Sequence, residues 1–90
     1  MDEKQVIISI EYHGHFIVQA HKKSEELTVY DDFQQGIDQI KCHLKLNYAI
    51  ESGFMTLINN MSLCRLIKEN PKIVFEKNDI VQIIPIASGG

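Results

Sequence analysis

Apolar and polar residues alternate from the start of the chain. In Gln5–Tyr12, Val6, Ile8, Ile10 and Tyr12 take every second position and the run is rich in β-branched residues, which predicts a strand. A second alternating run, His15–Ala20, follows His13-Gly14. Glycine can supply the positive φ of a tight hairpin turn, so the pattern predicts an opening β-hairpin. The period then changes. Val29, Phe33, Ile37, Ile40 and Leu44 recur at intervals of three and four, forming one narrow apolar stripe of a helix. Thr28-Val29-Tyr30-Asp31 has the spacing of a capping box at its start, and Asn47 marks its expected end. Gly36 interrupts the helix at a cost of about 1 kcal/mol against alanine, which so regular a stripe outweighs.

Strand signals return in the second half. Phe54–Ile58 reads as a third strand, Asn59-Asn60 as a turn, and residues around Ser62 to Leu66 as a short fourth strand. Pro71 breaks the chain and Asn78-Asp79 makes a further turn. The apolar run Ile80–Ile84 predicts a mostly buried strand that Pro85 ends, because proline has no N–H to donate. One helix with a single apolar stripe must lie across one face of one sheet, an α+β two-layer arrangement. In this element order the architecture is the β-grasp, with a mixed four- to five-stranded sheet and one main helix packed on one face. Residues 1–84 are the expected domain and 85–90 a flexible tail. Both faces of the last strand carry apolar residues while one helix covers one face, so the other face is expected to meet a partner.

Composition narrows the function. The 90 residues are 44% hydrophobic and 23% charged, as in a folded globular domain. The net charge of -3 argues against a phosphate-backbone binder, so no nucleic-acid partner is expected. The lack of a long apolar run or a signal-peptide pattern gives the expectation of a cytoplasmic protein with no membrane association. Cys42 and Cys64 are expected to be ordinary free thiols, with Cys42 about 180° round the helix from Phe33 and facing solvent. His13, His15 and His21 read as polar turn residues, and no metal site is expected.

The segment Asn78–Gly90 resembles the C-terminus of the MoaD/ThiS sulfur-carrier family, a group of ubiquitin-like β-grasp proteins. The family has a Gly-Asp turn, an apolar strand, a short tail and a terminal Gly-Gly; here Asn78-Asp79, Ile80–Ile84, Pro85–Ser88 and Gly89-Gly90 stand in those places. Met55–Asn60 is similar to the family's strand ending in Asn-Gly, and Phe75–Asp79 to its Leu-x-x-Gly-Asp turn. Asn60 and Asn78 replace glycines, a change that asparagine's tolerance of positive φ permits. Pro85 brings the tail closer to the molybdopterin-synthase small subunit than to the thiamine-type carriers.

The resemblance implies that Gly90 is the working residue. A C-terminal carboxyl with a pKa of about 3.5 is ionised at neutral pH and is a poor electrophile until activated. By that resemblance an adenylating enzyme of the ubiquitin-activating type joins Gly90 to AMP using ATP, and a sulfur donor then forms a thiocarboxylate. A large synthase subunit is a further implied partner. Pro85, Ile86, Ala87, Ser88 and Gly89 are the implied partner-inserted tail, the glycines lacking a Cβ that would obstruct a narrow channel. The chain itself is expected to be a carrier and substrate with no turnover and no stably bound cofactor. Two alternatives stay open: a modifier conjugated through Gly90, and a noncatalytic β-grasp binding module.

Overall fold

The computed structural model describes residues 4–70 and 72–86. The chain runs β1 (Gln5–Tyr12), α1 (His15–Ala20), β2 (Ser24–Tyr30), α2 (Phe33–Tyr48), β3 (Phe54–Ile58), β4 (Met61–Ser62), α3 (Leu63–Glu69) and β5 (Ile80–Pro85). Among the described residues the strands form one mixed sheet in the order β2-β1-β5-β3-β4, with β1 and β5 parallel and the remaining pairs antiparallel. The core lies between this sheet and α2. Ile8, Ile10 and Tyr12 of β1, Val29 of β2, and Val81 and Ile83 of β5 meet the stripe Phe33, Ile37, Ile40 and Leu44. Each such aliphatic or aromatic side chain contributes about 1.5–3 kcal/mol when fully buried.

Three local expectations are corrected. The run His15–Ala20 is a helix, not the second strand of a two-residue hairpin. Phe16 and Ala20, four residues apart, are both buried, whereas Val18, which strand alternation would place beside them, is 74% exposed. Gly14 enters this helix at φ +59° and His21 leaves it at φ +60°, so the connection is a short helix bounded by two residues of positive φ. The antiparallel partner of β1 therefore begins at Ser24, and its register runs from Glu11 opposite Ser24 to Gln5 opposite Tyr30.

The helix start is also shifted. Thr28–Tyr30 belongs to β2, and the cap of α2 is Asp32, whose carboxylate accepts a 3.0 Å bond from Gln35 N–H. Val29 thus reaches the core from the strand. At its other end α2 continues one residue past Asn47 and closes on Ala49 at φ 58°. The predicted strand from Ser62 to Leu66 is only Met61–Ser62; the Ser62 hydroxyl then accepts a bond from Arg65 N–H and starts α3. A serine cap three residues before an arginine amide outweighs the apolar pattern there, because Leu63 and Leu66 pack on the core at helical spacing.

Gly36 has a packing reason. A Cβ there would lie 2.5 Å from the Phe75 ring and 2.9 Å from Tyr30 O. Phe75 is 1% exposed and stacks on Phe33 with ring centroids 4.8 Å apart. Alanine would gain about 1 kcal/mol of helix propensity, but displacing a buried ring costs about 1–3 kcal/mol. Gly36→Ala should therefore lower stability by up to about 2 kcal/mol in urea unfolding, and a more stable variant would refute the packing assignment.

Candidate functional site

The root of the tail is clamped on two sides. β5 lies between β1 and β3, with Tyr12 and Thr56 both in register with Ile83. His13 N–H donates to Ile83 O at 3.1 Å, and Pro85 pairs with Phe54. The Pro85 ring sits directly on Gly14, where a Cβ would come within 2.7 Å of the proline Cγ. One residue further, Ile86 N–H donates to Gly53 O at 2.9 Å. Pro85 thus closes the strand, as its missing N–H requires, yet the backbone stays attached through the next amide.

Of the residues expected to enter a partner, Pro85 and Ile86 form the anchor of the tail instead of its free part. Pro85 is half-buried, while the Ile86 side chain is 54% exposed. Ala87, Ser88, Gly89 and Gly90 lie outside the described residues. Four residues beyond Ile86 span roughly 13 Å when extended.

The start of β5 is held just as firmly. Asn59 Nδ2 donates to Asp79 Oδ1 at 3.0 Å, and Asn59 Oδ1 accepts from Ile80 N–H at 3.0 Å. Asp79 Oδ2 accepts from Glu76 N–H, and Asn78 takes φ 72°. The two asparagine-bearing turns that looked separate in sequence are one bonded unit. Asn59 and Asn60 both take positive φ, as asparagine in a turn permits.

The register settles which residues face outward. Val81 and Ile83 point into the core; Ile80, Gln82 and Ile84 point away from α2. Ile7, Met55 and Ile80 on this open face are 45%, 43% and 39% exposed. A polar strip crosses it. Gln82 Nε2 donates to Glu11 Oε1 at 3.3 Å and lies 3.5 Å from His13 Nε2, while buried Gln82 Oε1 has no partner among the described residues.

Glu25, on the helix side of the sheet, was not foreseen. Its Oε2 accepts from the hydroxyls of Tyr12 at 2.5 Å and Tyr48 at 2.7 Å and lies 3.0 Å from His43 Nε2; Lys22 Nζ reaches Oε1 at 3.3 Å. Asn47 Nδ2 stands 3.0 Å from His43 Nδ1, so the ring offers its other N–H to Glu25. Desolvation pushes the Glu25 carboxyl up, but bonds from Tyr12, Tyr48, His43 and Lys22 outweigh it and hold the pKa at about 2. Burial and the Glu25 carboxylate raise the Tyr12 phenol well above its usual range. This cluster ties the end of β1, which leads into Gly14 and the Pro85 seat, to β2 and α2. Such a meeting of residues 12, 25, 43 and 48 leaves no local pattern to read.

Cys42 and Cys64 are exposed free thiols. His15 packs on Phe16, and no group of three metal-ligating side chains occurs among the described residues. None of the described helices is long and apolar enough to cross a membrane.

No family model and no curated protein matches this chain. Solved structures do. Urm1 from Sulfolobus solfataricus is 28% identical with a TM-score of 0.57, covering 87% of this chain and 99% of that one. A putative molybdopterin converting factor, subunit 1, from Pyrococcus furiosus is 12% identical with a TM-score of 0.68, covering 91% and 99%. Small archaeal modifier protein 1 from Methanosarcina acetivorans is 14% identical with a TM-score of 0.61, covering 97% and 99%. The fold is the ubiquitin-like β-grasp, and the likeness to these three structures covers the whole arrangement of strands and helices.

The Glu25 cluster has a pH signature. A carboxyl whose pKa is depressed on folding stabilises the fold above its ordinary value of 4.5, and that contribution disappears as pH falls towards 2. The raised Tyr12 phenol acts in the opposite sense: its contribution is complete below pH about 10 and declines above it. Urea unfolding should show stability falling by about 2–3 kcal/mol between pH 4.5 and 2. Glu25→Gln should flatten that acid limb and lower stability at pH 7 by about 1.5–3 kcal/mol. An unchanged acid limb in the variant would assign it to other carboxylates.

Proposed function

We propose that the protein is a sulfur carrier whose Gly90 is activated by a partner enzyme and converted to a thiocarboxylate. Its premise is a ubiquitin-like β-grasp chain whose central strand leads directly into Pro85–Gly90. In the proposed sequence a Gly90 carboxylate oxygen attacks the α-phosphorus of ATP within an adenylating enzyme, and pyrophosphate leaves. Sulfide released by a donor then attacks the acyl carbon as HS− and displaces AMP, and loss of its proton leaves the thiocarboxylate on Gly90. Adenylation supplies a good leaving group where the carboxylate has none.

The anchoring of the tail root carries this reading. Pro85 on Gly14, its pairing with Phe54, and the bond from Ile86 N–H to Gly53 O fix the point of departure. A clamped root spares a partner the ordering entropy of Pro85 and Ile86. Ala87–Gly90 can extend roughly 13 Å from it into a narrow channel while the body docks outside. The open face, with Ile7, Met55 and Ile80 exposed, gives that body an apolar contact surface for the enzyme or for a large synthase subunit. Molybdopterin synthesis is the proposed destination of the sulfur, supported by Pro85 and by the likeness to the Pyrococcus furiosus converting factor.

A modifier conjugated to lysines through Gly90 is the second reading, favoured by the likeness to the small archaeal modifier protein. Both readings share the activation step and part at the acceptor.

With its cognate adenylating enzyme, ATP and a sulfur donor, the intact protein should gain the mass difference between one sulfur and one oxygen atom. Deleting Gly89 and Gly90 should abolish that gain and leave the unfolding midpoint in place. An unchanged mass of the full chain under these conditions would overturn the carrier reading. High-mass lysine adducts ending at Gly90, formed without sulfur uptake, would establish the modifier.

A further inference from the structure

One margin of the sheet offers an unsatisfied backbone ladder. The bonds Tyr12 N–H to Lys23 O and Asp31 N–H to Lys4 O, both 2.8 Å, set the phase of the β1–β2 pairing. In that phase Lys23, Glu25, Leu27, Val29 and Asp31 face β1, while Ser24, Glu26, Thr28 and Tyr30 turn their N–H and C=O groups outward. Tyr30 is already engaged: its N–H donates to Gln39 Oε1 at 2.7 Å, and its carbonyl abuts Gly36. Ser24, Glu26 and Thr28 are exposed, and their outward backbone groups have no partner among the described residues. Two means of blunting an edge are missing, since the β1–β2 register is unbroken and no proline lies in β2; what guards this edge is charge, Glu26 outward and Glu25 inward. The opposite margin, β4, has two residues and passes straight into α3.

We propose that the β2 edge docks an extended peptide bearing lysine or arginine, which pairs as an added strand along Ser24–Thr28. Glu26 selects the occupant. It stands at the middle of the free ladder, exposed on the outer face, so a cation opposite it is favourable and a carboxylate is not. A second copy of the chain pairing antiparallel about this point would set Glu26 against Glu26, which disfavours self-association. Glu25 cannot play the same part, because its four donors already hold it on the helix side. Leu27, half-buried on that side, offers an apolar neighbour for the alternate side chains of the incoming strand. The peptide should therefore alternate basic and β-branched residues. This edge is separate from the tail, so the proposal stands whether or not Gly90 carries sulfur.

The test is a titration of the isotope-labelled full chain with acetyl-Val-Lys-Val-Lys-Val-Thr-amide, followed by amide NMR. Saturable shifts and slowed solvent exchange are expected at the amides of Ser24, Glu26 and Thr28. Glu26→Lys should weaken binding about fivefold or more. A peptide N-methylated at alternate residues should lose binding, which probes the backbone ladder without altering the protein. Shifts confined to Ile7, Met55 and Ile80, equal affinity for a glutamate-bearing peptide, or no saturable shift would each overturn the proposal. So would protection of Ser24–Thr28 that grows with protein concentration alone, because a second copy would then be the occupant.

Discussion

The parallel pairing of Ser9–Tyr12 with Ile80–Ile83 holds the molecule together. It joins segments about 70 residues apart, a loop closure that only extensive burial can offset. Placing β5 between β1 and β3 gives its backbone partners on both sides and buries Val81 and Ile83 completely. Without that insertion the β1–β2 and β3–β4 pairs would be separate ribbons, too small to bury the stripe of α2. The same insertion makes the exit of the chain a fixed point, because a central strand cannot fray as an edge can.

Small residues let this arrangement close. At Gly36 the helix comes close enough for Phe75 to pack across it, so the loop before β5 is drawn against the start of α2. At Gly14 the backbone makes room for the Pro85 ring, so α1 and the tail root share a surface. Glu25 adds the polar counterpart. Its four donors come from β1, α2 and the turn after α1, and a desolvated carboxylate with that many donors is strongly held. Packing at Gly14 and hydrogen bonding at Glu25 thereby act on one place, the junction of β1 and α1 beneath the tail.

Three features divide between the parts of one sheet. The centre leads into Pro85 and Ile86, the open face presents apolar surface interrupted by Glu11 and Gln82, and the β2 edge presents backbone.

Much of this was legible in the chain itself. The stripe Phe33, Ile37, Ile40, Leu44 and the strands at Gln5–Tyr12, Phe54–Ile58 and Ile80–Ile84 were readable because each buries a face at its own period. Asn59, Asn60 and Asn78 were readable as turns because few residues tolerate positive φ. The motif at Pro85–Gly90 stood out because its residue types and spacing are unusual together, and Ala87–Gly90 lie outside the described residues. The tertiary structure decided the rest. Six residues at His15–Ala20 fit both periods, and only the space beneath β5 chose the helix that buries Phe16 and Ala20. The sequence pattern placed the cap at Thr28, but pairing with β1 claimed that residue for the strand and left the cap to Asp32. Local pattern determines which face of a segment is apolar; the Pro85 seat, the Glu25 cluster and the open β2 edge arise from residues distant in sequence, so only the assembled sheet could specify them.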